Sequence, residues 1–137
     1  MRQPMMLIAL STLGACVSPL PPADPKQAWI ELSTITPGRV IMADRLDGKR
    51  LNDGRYFQVT PGKHELVVRF DYEVYSGGFT TDPTERTCYL TVRYNDFKAG
   101  ERYRLEARAP VMQPQVLLYD AKRNVVVNEP SNVFCIP

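Results

Sequence analysis

The stretch His64-Glu65-Leu66-Val67-Val68-Arg69-Phe70-Asp71-Tyr72-Glu73-Val74 decides the fold. His64, Leu66, Val68, Phe70, Tyr72 and Val74 take alternate positions, with Glu65, Arg69, Asp71 and Glu73 between them. A period of two sets one face against a core and the other in water, the mark of a half-buried strand. Its entrance is Pro61-Gly62. Proline presets the first turn position and glycine accepts a positive φ, so the chain reverses into the strand.

The same period recurs on both sides. From Thr87 to Tyr94, Cys88, Leu90, Val92 and Tyr94 alternate with Thr87, Tyr89, Thr91 and Arg93. From Arg102 to Ala109, Tyr103, Leu105 and Ala107 alternate with Arg102, Arg104, Glu106 and Arg108. Shorter strands are predicted at Ala28–Thr34, Arg39–Leu46, Tyr56–Val59, Gln115–Asp120 and Val125–Asn128. Turn signals separate them: Pro37-Gly38, Asp47-Gly48, Asn52-Asp53-Gly54, Gly77-Gly78 and Ala99-Gly100. No run of ten residues carries a capped helical stripe. The expected fold is all-β: a single antiparallel β-sandwich of about seven to eight strands over residues 28–137.

Three pieces of this framework carry a resemblance: Asp47-Gly48-Lys49 with Tyr56-Phe57-Gln58-Val59, then Thr60-Pro61-Gly62-Lys63-His64-Glu65-Leu66, then Phe97-Lys98-Ala99-Gly100 leading to Tyr103-Arg104-Leu105. Together they resemble small Gram-negative envelope lipoproteins of unknown function whose domain is a PEGA- or transthyretin-like β-sandwich. The resemblance covers most of residues 28–120. It implies a fold and an envelope address, and no catalytic residue to carry over.

The beginning of the chain points the same way. Met1-Arg2 precedes an apolar run from Met5 to Leu13, followed by Leu13-Gly14-Ala15-Cys16. A charged start, a short apolar segment and small residues before a cleavage point are the parts of a secretory signal. With cysteine next, the run resembles the lipobox of bacterial lipoproteins. That implies removal of residues 1–15 as a signal peptide and a diacylglyceryl group on Cys16. The apolar run is shorter than the ~20 residues a spanning helix needs. Val17 stands where an aspartate is absent, which resembles the pattern sorted to the outer membrane with the domain facing the periplasm. Residues 16–27 carry Pro19, Pro21, Pro22 and Pro25 and read as a polyproline linker. As polyproline II at about 3.1 Å per residue, Val17 to Pro25 would hold the domain about 25–30 Å from the lipid.

Three cysteines are present. With Cys16 lipidated, Cys88 and Cys135 form one pair in an oxidising compartment, and a disulfide is expected between them. Two unpaired, buried thiols are the alternative.

The chain of 137 residues has a formal charge of +2, so no nucleic-acid partner is expected. His64 is the sole histidine, and its parity places it on the apolar face, bonded as a neutral ring to a backbone carbonyl. There is no Cys or His spacing for a metal, no nucleophile elbow and no phosphate loop. No cofactor and no enzymatic activity are expected. Two surface features remain as partner or glycan contacts. Tyr75 and Phe79 flank glycines in the longest apparent loop, unless they fold back to cap the sandwich. Arg93, Arg102 and Arg104, with Arg108, gather on one outer face if their strands pair. The expected function is therefore a lipid-anchored, non-enzymatic structural or protein-interaction module of the periplasm, with a peptidoglycan- or lipopolysaccharide-binding domain as the alternative.

Overall fold

The computed structural model describes residues 17–75, 77 and 82–136. The signal segment, Cys16 and Phe79 lie outside the described residues. Ten strands follow in chain order: β1 (Ala28–Thr34), β2 (Val40–Leu46), β3 (Lys49–Arg50), β4 (Tyr56–Val59), β5 (Gly62–Val74), β6 (Thr84–Phe97), β7 (Arg102–Arg108), β8 (Gln115–Tyr119), β9 (Val125–Val127) and β10 (Asn132–Ile136). The helical element among the described residues is a short 3-10 turn at Pro110–Met112. The chain is all-β.

Two five-stranded sheets form, one in the order β4-β1-β7-β8-β9 and the other β10-β6-β5-β2-β3. Alternation supplies the core between them. Leu66, Val68, Phe70 and Tyr72 of β5 and Cys88, Leu90 and Val92 of β6 meet Ile30, Phe57, Val59, Tyr103, Leu105, Val116 and Leu118 of the other sheet in one cluster. Each fully buried large apolar side chain contributes about 1.5–3 kcal/mol. The parity expected for the three long strands holds over the expected spans, and only Phe97, beyond Tyr94 and opposite the irregularity between Gly62 and His64, is buried out of phase.

The expected seven to eight strands become ten. β3 is two residues long and is closed onto β2 by Asp47-Gly48, where both residues have positive φ, 49° and 82°. That pair of left-handed conformations is the two-residue hairpin turn that Asp-Gly favours. β10 was not anticipated, because a five-residue apolar run after Pro130 is short for a periodic signal.

One seam departs from an antiparallel sandwich. β1 pairs with β7 in parallel, from Trp29↔Arg102 to Thr34↔Ala107, while β4 lies antiparallel on its other flank. A parallel pair needs a crossover of a dozen or more residues. The whole β2–β6 excursion supplies it. β5 and β6 form a long antiparallel pair running from Gly62↔Phe97 to Val74↔Thr84.

The proline-rich segment touches the domain at two points. The Asp24 N–H donates to Gln58 Oε1 of β4 at 3.0 Å, and Arg55 Nη1 donates to the Ser18 carbonyl at 2.7 Å. Ser18 and Asp24 thus each meet the β4 side of the domain.

Candidate functional site

His64 opens β5 under the β2–β3 turn. Its Nδ1 lies 2.6 Å from Asp47 Oδ2, and its Nε2 lies 2.7 Å from the Thr60 carbonyl and 3.0 Å from Thr60 Oγ1. Asp47 Oδ1 accepts the Glu65 N–H at 2.8 Å. Partial burial raises the Asp47 carboxyl, but the Glu65 N–H and the His64 ring outweigh it and hold the group below its ordinary 3.8.

Hydroxyl, imidazole and carboxylate in a row have the outline of a nucleophile relay. The Thr60 carbonyl alters that reading. An Nε2 facing a carbonyl at 2.7 Å is a hydrogen-bond donor, and a donor cannot take the hydroxyl proton. Both ring nitrogens face oxygens, and the Thr60 carbonyl supplies the backbone contact expected for this ring. The group acts as a latch: it ties the Asp47-Gly48 turn and the Thr60-Pro61 corner to the start of β5. Among the described residues, no group of three or more His, Cys, Asp or Glu side chains could hold a metal.

The four arginines do not gather. Arg93 projects from β6 and pairs with Glu65 at 2.8 Å on one sheet, whereas Arg102, Arg104 and Arg108 belong to β7 on the other. Parity was legible in the sequence, but sheet membership depends on the crossover. On the outer face of the β7 sheet, Trp29 and Tyr56 stack with centroids 4.3 Å apart. The guanidinium of Arg102 lies 5.8 Å from the Trp29 ring, and that of Arg104 lies 5.0 Å from Tyr119. Glu106 reaches Arg104 at 3.8 Å and accepts the Tyr119 hydroxyl at 3.4 Å. The Nε atoms of Arg104 and Arg108 are buried without a hydrogen-bond partner. A depression of about 410 Å³ runs beside Arg102, Arg104, Tyr119, Asp120 and Arg123.

The opposite outer face carries residues the sequence reading did not single out. Cross-strand pairing sets Met42, Arg69, Tyr89 and Phe134 in one row, and Arg50, Arg45, Val67, Thr91 and Asn132 in the next. Tyr89 and Phe134 of the first row and all five residues of the second, with Asp44, frame a depression of about 330 Å³. Phe134 is 61% exposed, and Ile136, two residues on along the same face of β10, is 46% exposed. The signal was present in Asn-Val-Phe-Cys-Ile, had the expected disulfide been used to place that run on β6.

Cys88 and Cys135 occupy directly opposed positions on β6 and β10, with sulfurs 2.06 Å apart. Tyr75 stands at the end of β5, 60% exposed, and its N–H approaches Met112 Sδ at 3.3 Å. No protein-family model, curated protein or solved structure matches this chain.

Proposed function

We propose that this chain is a lipid-anchored, non-enzymatic docking module of the bacterial envelope, built on a β-sandwich of the PEGA- or transthyretin-like kind. In this reading Cys16 carries the lipid, the outer membrane holds it, and the domain faces the periplasm. The observation that carries the reading is the Tyr89–Phe134 face. Large apolar side chains stand exposed on a strand that a disulfide fixes in place, with arginines at the rim. Exposed aromatic anchors ringed by polar groups are the usual core of a protein interface.

The test is a photo-crosslinking residue placed at Phe134 in cells, beside one at Lys122 on another exposed turn. A discrete adduct at Phe134 that disappears with Cys16→Ser supports a membrane-bound partner. Equal, diffuse labelling at both positions would remove the basis of this reading.

A second reading is favoured by the β7 face. Arg102 and Arg104 lying over aromatic rings, the latter with an unengaged Nε, suit the rings and anionic groups of envelope glycan. Sedimentation with purified sacculi decides it. Binding that survives both Arg104→Gln and Tyr119→Leu would exclude this face.

A further inference from the structure

The two edges of the sandwich differ. β3 and β4 lie on one side, joined by Leu51–Arg55, whose Gly54 carbonyl accepts the Ala43 N–H of β2 at 2.8 Å. β9 and β10 lie on the other side. The first described residues run to the β3–β4 side. Arg55 is fixed by a two-point pair with Asp53, at 2.9 and 2.7 Å, and its remaining nitrogen holds the Ser18 carbonyl. Only Val17 separates Ser18 from Cys16, two peptide steps with a reach of at most about 7 Å. On the same edge Lys49 and Arg50 are exposed, with no ion-pair partner among the described residues.

Resting on the lipid anchor of the proposed function, we infer that the β3–β4 edge is seated on an anionic bilayer surface, with the β9–β10 edge turned away from it. Both arguments are local to this chain. The Arg55–Ser18 bond sets where the lipid can enter the membrane relative to the fold. Lys49 and Arg50 then meet headgroup phosphates, because basic residues within a Debye length of an anionic leaflet are attracted to it. The face that carries Phe134 begins at Arg50 on the seated edge, but Phe134 itself stands on β10 at the far edge, so it remains open to a partner while the module is seated.

Orientation is measured on the full lipidated protein in vesicles of phosphatidylethanolamine and phosphatidylglycerol. A fluorophore is placed on Asn52→Cys or, separately, Asn128→Cys, and headgroup spin-labelled lipid acts as quencher. The bonded Cys88 and Cys135 and the lipidated Cys16 leave one reactive thiol. Several-fold stronger quenching at position 52 than at 128 is expected. Arg55→Ala and the pair Lys49→Glu with Arg50→Glu should each bring the two signals together, and so should phosphatidylcholine vesicles for the seat's charge component. Circular dichroism of each variant reports that it is folded. Equal quenching at both sites in the otherwise unaltered lipidated protein overturns the seat alone. A product whose mass lacks acyl chains and that stays in solution overturns the anchor and the seat together.

Discussion

At the residue scale, Asp47 shows how one side chain can hold three pieces of chain. It adopts a left-handed backbone in a turn, accepts the Glu65 N–H, and meets His64 at 2.6 Å. Asp47→Ala should lower stability by about 1–2 kcal/mol, read from urea unfolding. The pH dependence has a defined sign. The folded carboxyl lies below its ordinary 3.8, so its contribution is complete above that value and is lost as pH falls through the lower folded value. The stability gap between the native protein and Asp47→Ala should therefore be constant near neutrality and close in strong acid. His64→Gln should destabilise by about 1 kcal/mol, the net worth of an ordinary hydrogen bond. Tyr103 offers a second titration. Burial pushes its phenol up to about 12, against the Lys98 N–H that its oxygen accepts at 3.0 Å. Ultraviolet titration should show one tyrosine ionising only near that pH, a step absent in Tyr103→Phe.

At the element scale, the strands legible in the sequence are those that bury a full face. β5, β6 and β7 declared themselves because every second residue is apolar and most of the opposite positions are polar or charged. What alternation cannot carry is which sheet a strand joins. Arg93 and Arg104 have the same parity in similar strands, yet a crossover through β2–β6 sends them to different faces. The candidate site was hidden for the same reason: Tyr89 read as outward, but its neighbour Phe134 lay in a run too short to declare a strand. Two substitutions test this account. Phe70→Ala, in the middle of β5 and fully buried, should cost about 3–5 kcal/mol in chemical unfolding. Gly100→Ala should cost about 1–2 kcal/mol, because φ is 76° there. Its new Cβ would also sit 3.3 Å from the Pro25 carbonyl, so loosening of the segment before β1 should appear as faster amide exchange at Gly100 and Trp29.

At the scale of the whole molecule, the first and last described segments lie on opposite sides of the sandwich. The segment before β1 runs along β4, and the C-terminal strand is bonded through Cys135 to Cys88 across a sequence separation of 47. Reducing that bridge should lower stability by about 3–4 kcal/mol in the chain-entropy picture, measured by denaturant unfolding with and without reductant. The bridge also has a mechanical consequence. A load applied to a terminal edge strand breaks its hydrogen bonds one rung at a time, the weakest way to pull a sheet apart. β10 has five rungs, and the covalent tie sits at the second from its free end, Cys135↔Cys88. Peeling stops there, and tension passes into β6 and the long antiparallel pair it makes with β5, where many bonds must yield together.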